Sequence, residues 1–175
     1  MGTFRRYRGI VVLAIVLAVG FSVNALARPD HAGPAEKATG GIMVQETSDT
    51  AWVDFNAHEA KGKRDAKGTF WWYLGGKDDP TRTIKVDVEY VMVDGDMAWF
   101  AGMAVMDTDN DLEGEWFFVK VKDGGTPATD GDQVWWEWVD DEETAEGMVE
   151  DMTMPANEKD ILAGNLVVHT YGGDE

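Results

Sequence analysis

The acids between Asp107 and Glu113 have the spacing in this chain that most suggests chemistry. Asp107, Asp109 and Asp111 alternate through a turn-rich stretch, and Glu113 follows two residues on. Alternate carboxylates in a loop turn hard oxygen donors to one side, as Ca²⁺ requires. The segment is not an EF-hand, because Leu112 stands where that loop needs glycine and Phe118 where it needs a closing glutamate. Strand-like sequence also flanks it on both sides. A calcium site of Asp107, Asp109, Asp111 and Glu113 is one expectation, and a solvated hairpin tip is the other. No other cofactor is expected.

Catalytic constellations are thin. His31, His58 and His169 are few and scattered, and the chain has no cysteine for thiol or metal chemistry. Ser48 lacks a nucleophile elbow, and Gly75-Gly76-Lys77 lacks the remainder of a phosphate loop. With 33 acidic residues, any two carboxylates could be named a glycosidase pair, so none is chosen. A non-catalytic binding or structural role is favoured over a carboxylate-based hydrolase.

Strand parity sorts the aromatic residues and gives the stronger lead. If Phe70, Trp72 and Leu74 point inward, Trp71 and Tyr73 point outward. If Phe117, Val119 and Val121 are inward, Trp116 and Phe118 are outward. Trp99 likewise opposes Phe100, and Trp135 opposes Val134 and Trp136. Large rings on a face that ought to be wet usually mean contact with something. Three coverings compete: a helix laid across the rings with Met148 and Met152 against them, a second sheet layer, or an open platform. Such a platform of Trp71, Tyr73, Trp99, Trp116, Phe118 and Trp135 would suit a carbohydrate or a protein partner.

The elements that must position these residues are strands. Ile84, Val86, Val88, Tyr90 and Met92 alternate with Lys85, Asp87 and Glu89, and Asp94-Gly95 then turns the chain into Met97–Val105. Similar runs lie at Ile42–Gln45, Thr50–Ala57, Gly68–Leu74, Glu115–Lys122, Gln133–Val139 and Asn165–Tyr171. Only Asp140–Met154 reads as helix, with acids in its first turn, Ala145, Met148, Val149 and Met152 at helical spacing, and Pro155 beyond its end. The expected fold is all-β: an antiparallel barrel or sandwich of about eight strands, with one short helix before the last strand.

Ahead of these strands, Arg5, Arg6 and Arg8 precede an apolar run from Ile10 to Val19 and then Ala25-Leu26-Ala27. A basic start, a short apolar middle and small residues before a cut describe a secretory signal peptide over 1–27, too short for a comfortable membrane span. Residues 28–40 read as a flexible lead-in and 41–175 as one β domain. The product is expected to be secreted or periplasmic, with no membrane span after cleavage. Removing the leader removes three arginines and no acid, so the formal charge falls from −18 to −21. Such a surface repels nucleic acid and anionic membranes. Without disulfides, the eight tryptophans must help hold an exported fold by burial.

A series of short motifs runs through the domain. They are Phe55-Asn56-Ala57-His58, Val93-Asp94-Gly95-Asp96, Ala98 with Phe100 and Gly102, Val119–Val121 with Asp123-Gly124-Gly125-Thr126-Pro127 and Gly131-Asp132, and Gly164-Asn165-Leu166-Val167-Val168-His169. Their order resembles the post-COAP-type domain, a β-rich module of exported bacterial proteins. The resemblance spans about Gly41 to Tyr171 and implies an antiparallel β fold outside the cytoplasm, with no settled activity and no catalytic residues to transfer. The chain departs from it by placing Trp, Met and Phe where the family is mostly Thr, Ser and Gly.

Overall fold

The computed structural model describes residues 36–59, 66–125 and 131–170. The leader at 1–27 and most of the lead-in lie outside them. Nine antiparallel strands follow one another: β1 (Lys37–Gln45), β2 (Thr50–Glu59), β3 (Ala66–Leu74), β4 (Arg82–Asp94), β5 (Met97–Asp107), β6 (Trp116–Lys122), β7 (Gln133–Val139), β8 (Glu158–Lys159) and β9 (Ile161–His169). One helix, α1 (Glu142–Glu150), stands between β7 and β8. The sheet order is β8-β7-β6-β5-β4-β3-β2-β1-β9.

Closure comes from one stretch of chain. Around β8 it pairs with β7, and the Asn157 carbonyl accepts from the Trp136 amide at 3.1 Å. From Ile161 it pairs with β1 instead, and the Asp160 carbonyl accepts from the Gln45 amide at 2.9 Å. The two ends of the sheet are thus linked by consecutive residues, which makes a nearly closed barrel and leaves little free edge. The expected fold class holds. The two-residue β8 raises the strand count to nine, β1 claims Lys37–Gly40 from the lead-in, and the closing strand begins at Ile161 rather than Asn165.

Alternation explains the lumen. Val53, Phe55, Phe70, Phe100, Phe117, Val119, Val121 and Trp136 all turn inward and are buried. Their rings run as a chain: Phe55 to Phe100 at 5.5 Å between centroids, Phe100 to Phe70 at 6.4 Å, Phe70 to Phe117 at 5.0 Å, and Phe117 to Trp136 at 6.2 Å. On β4 one alternation fails. Tyr90 and Met92 were expected on the face of Ile84, Val86 and Val88, but the register slips between Val88 and Tyr90. This bulge sends Val91 and Val93 inward and turns Tyr90 and Met92 out. Its cause lies on β5, where a Cβ on Gly102 would stand 2.0 Å from the Asp87 carbonyl oxygen. Only glycine lets β4 come that close.

At the end of the barrel away from β8, two carboxylates finish the seam. Asp132 accepts from the Gly124 amide at 2.8 Å and from the Leu166 amide at 3.2 Å. Asp123 accepts from Gly125 at 2.8 Å and from Val168 at 3.0 Å. The chain between β6 and β7 therefore supplies acceptors to amides of β9, a strand that β1 pairs on one side alone. Asp132→Ala should lower stability by about 2–3 kcal/mol, since it orphans a buried amide, and Asp132→Asn by less. Urea unfolding with an unchanged m-value checks this.

Candidate functional site

The outer wall of the barrel has a covered part and an open part. Helix α1 forms where acids open the segment: Asp141 caps it by accepting from the Thr144 amide at 2.7 Å, and Glu142 and Glu143 occupy the positive end of the dipole. It is shorter than the expected Asp140–Met154. Met152 takes a left-handed conformation at φ 50°, and the Thr153 amide reaches back to the Met148 carbonyl at 2.9 Å. That is a Schellman stop with methionine in the place where glycine is favoured.

Helix α1 lies across β4, β5 and β6. Ala145, Val149 and Met148 pack on Trp99, Ala101, Trp116 and Phe118. The Trp99 indole donates to the Thr153 carbonyl at 2.9 Å, and Tyr90 donates to Glu142 at 2.7 Å. Trp135 is buried as well: Lys120 sits 4.8 Å from its ring centroid and 5.3 Å from that of Trp99, with Met154 against the same ammonium. Desolvation there lowers the Lys120 pKa. Of the six residues expected to form an aromatic surface, Trp99, Trp116, Phe118 and Trp135 are therefore covered. Met148 provides part of that cover, whereas Met152, expected beside it, is largely exposed.

Trp71 and Tyr73 remain open. They are half-buried, their ring planes are parallel within 2°, and their centroids lie 5.8 Å apart. Register across β1–β4 sets them in two rows, Met43–Trp52–Tyr73–Thr83 and Gly41–Asp54–Trp71–Lys85. Trp52 was missed by the sequence reading, although its parity matches the outward set. Its indole donates to Asp54 at 2.8 Å, and Asp54 also pairs with Lys77. Lys85 stands 5.9 Å from the Trp71 centroid and pairs with Asp87 at 2.6 Å. The Tyr73 hydroxyl is pushed up, first by burial and then by the Asp54 charge. Aromatic faces and charged hydrogen-bonding groups thus share one patch.

The acidic loop is the expected exposed hairpin tip at Asp109, Asp111 and Glu113, and departs from it at Asp107. Asp107 is buried and accepts from Arg82 through both oxygens, at 2.9 and 2.6 Å. It also accepts from the amides of Asp109, Asp111 and Leu112 at 3.0–3.1 Å. Arg82 reaches Asp109 at 3.5 Å and Asp111 at 4.0 Å as well. A guanidinium thus occupies the position a cation would need, and Asp107 is neither solvated nor free to ligate. Glu113 does not join the cluster, and no group of three or more ligand residues among those described could hold a metal ion. His58 and His169 lie on opposite sides of Lys37, on β2 and β9, while His31 lies outside the described residues.

A cavity of about 360 Å³ opens inside the barrel at the β8 end, unseen in the sequence. Phe70, Val86 and Phe117 form its floor, and Trp72, Trp136 and Trp138 stand around it. Its rim is locked by ion pairs. Lys159 meets Glu46 at 2.9 Å and lies 5.2 Å from the Trp136 centroid, and the Trp72 indole donates to Glu46 at 3.2 Å. Arg82, held by Asp107, lines the opposite side. A pair of converging carboxylates with raised pKa would mark a hydrolase. Glu89 is pushed up, by burial first and then by Glu142 and Asp87, but it sits at the β4 bulge and does not line this cavity.

Two consequences can be measured. The Arg82 guanidinium, aided by loop amides, holds Asp107 well below the usual carboxylate range. A depressed pKa contributes its full stabilisation above the unfolded value of about 3.9 and loses it as pH falls from there through the lower native value. Asp107→Asn should therefore cost about 3–5 kcal/mol at pH 7, with the gap to the parent narrowing as pH falls below about 4 and persisting in part at about pH 2. Millimolar Ca²⁺ should leave the parent's melting temperature unmoved. Met152→Gly should raise stability by about 1 kcal/mol by relieving the left-handed strain, as read from thermal melts.

No family model, curated protein or solved structure matches this chain.

Proposed function

We propose that the protein is an exported, non-catalytic β-barrel domain that binds carbohydrate on the Trp71–Tyr73 face. The observation that carries this reading is the selective covering of the rings. Helix α1 covers Trp99, Trp116 and Phe118, and Trp135 is buried beside Lys120, while the parallel pair stays half-exposed. Rings held in one orientation by their neighbours bind with little loss of side-chain entropy. The apolar C–H faces of a sugar stack on such rings, and its hydroxyls need donors and acceptors alongside. Asp54 and Lys85 supply both kinds within the row of Trp71, and Asp87 stands in the neighbouring row opposite Thr69.

Export rests on the leader at 1–27, and it places the product in the periplasm or outside the cell. Among the described residues, no helix is long and apolar enough to cross a membrane. The motif order that resembles the post-COAP-type domain supports the same location. Its last two motifs have a physical reason to occur together, because Asp123 and Asp132 of one accept from Val168 and Leu166 of the other. That family brings no activity of its own, so the ligand class is argued from the rings alone.

The test is titration of the mature protein with a panel of soluble oligosaccharides, followed by tryptophan fluorescence and calorimetry. At least one glycan should bind, and Trp71→Ala and Tyr73→Ala should each weaken it tenfold or more while leaving the melting temperature within a few degrees. If no glycan in the panel produces a saturable signal, the carbohydrate reading is rejected.

A further inference from the structure

We propose that the barrel cavity at the β8 end is a second binding site, for a small organic cation with an aromatic or aliphatic body. Its volume of about 360 Å³ lies within the range of small-molecule sites, and barrel mouths are a common place for them. The floor of Phe70, Val86 and Phe117 offers only apolar surface, so the body of the ligand goes there.

The charge of the ligand follows from how the rim is already paired. Both basic groups of the rim are taken. Arg82 is held by two oxygens of Asp107, with Asp109 and Asp111 close behind, and Lys159 is held by Glu46. An incoming anion therefore finds no free positive charge, and it must also enter the field of a chain with net charge −18. A cation is drawn by that field and meets the indoles of Trp72, Trp136 and Trp138. Indole faces attract cations most strongly where water is excluded. The protein already makes this contact with its own ammonium, Lys159 over Trp136 at 5.2 Å. Trp138 is the exposed wall of the site, 37 % accessible and 4.6 Å from the Phe117 ring, and is placed to close on a ligand head group.

The site is independent of the outer carbohydrate face, and the two can be tested apart. Benzyltrimethylammonium, neutral benzyl alcohol and anionic phenylacetate are titrated against the mature protein, with indole fluorescence as the readout. Saturable quenching by the ammonium, at least tenfold tighter than benzyl alcohol and with no response to phenylacetate, is expected. Trp138→Ala should weaken the ammonium tenfold, and Trp71→Ala should leave it unchanged. Glu46→Gln releases Lys159, so it should weaken the ammonium and allow phenylacetate to bind. Binding of phenylacetate or benzyl alcohol to the parent as tightly as the ammonium would overturn the proposal. So would absence of saturable quenching, or an affinity that follows Trp71 and ignores Trp138. The parent's ranking of the three probes stands whether or not a variant folds.

Discussion

The rest of the structure depends on a continuous run of rings inside the barrel. Phe55, Phe100, Phe70, Phe117 and Trp136 touch in succession across the lumen, and no disulfide is present to share the work. Each buried phenylalanine is worth about 1.5–3 kcal/mol in removed apolar area, and pairs of this geometry add about 0.5–1.5 kcal/mol each. Against them stands the mutual repulsion within a chain of formal charge −18. The repulsion is spread over solvent and screened by salt, whereas the ring contacts are short-ranged and dry. The core therefore prevails, and the acidic exterior is tolerated.

The few lysines are stationed where they offset that repulsion locally. Lys77, Lys85, Lys120 and Lys159 each stand within about 6 Å of an indole centroid, at Trp52, Trp71, at both Trp99 and Trp135, and at Trp136. Each contact is modest at a wet site and larger where water is excluded. Lys120 is the clearest case: it lies between two indoles under the segment after α1, and desolvation lowers its pKa. Its stem covers apolar surface while its head stays paired with ring faces.

How much was legible in the sequence follows from the range of each interaction. The inward and outward sets on β3, β6 and β7 could be read because alternation is a property of neighbouring residues. The slip at Val88–Tyr90 could not, because it depends on Gly102 across the ladder, and a lone glycine in an apolar run does not name its partner. Parity placed Trp99 and Trp71 on the same outer surface, yet only the docking of α1 decides that one is dry and the other open. The carboxylate spacing at Asp107–Asp111 reads as a calcium loop or a solvated hairpin tip. Its cation is an arginine 25 residues upstream rather than a metal, and no local pattern carries that information. The cavity is the least legible feature, since it is the space left over once nine strands have closed.

The ion pairs at that cavity bear on what the loops are for. Partly buried pairs add little net stability, because desolvating two charges consumes most of their attraction. Asp107–Arg82 and Glu46–Lys159 nevertheless both stand at one end of the barrel, around its opening. Asp107 also gathers three amides of its own loop, which fixes that loop's path between β5 and β6. Glu46 joins the turn after β1 to the closing stretch through Lys159 and to β3 through Trp72. Groups of small net worth that together fix the position of three loops act on geometry more than on free energy. A mouth held in this way presents its indoles in a single arrangement, and a ligand then binds without having to order the loops first.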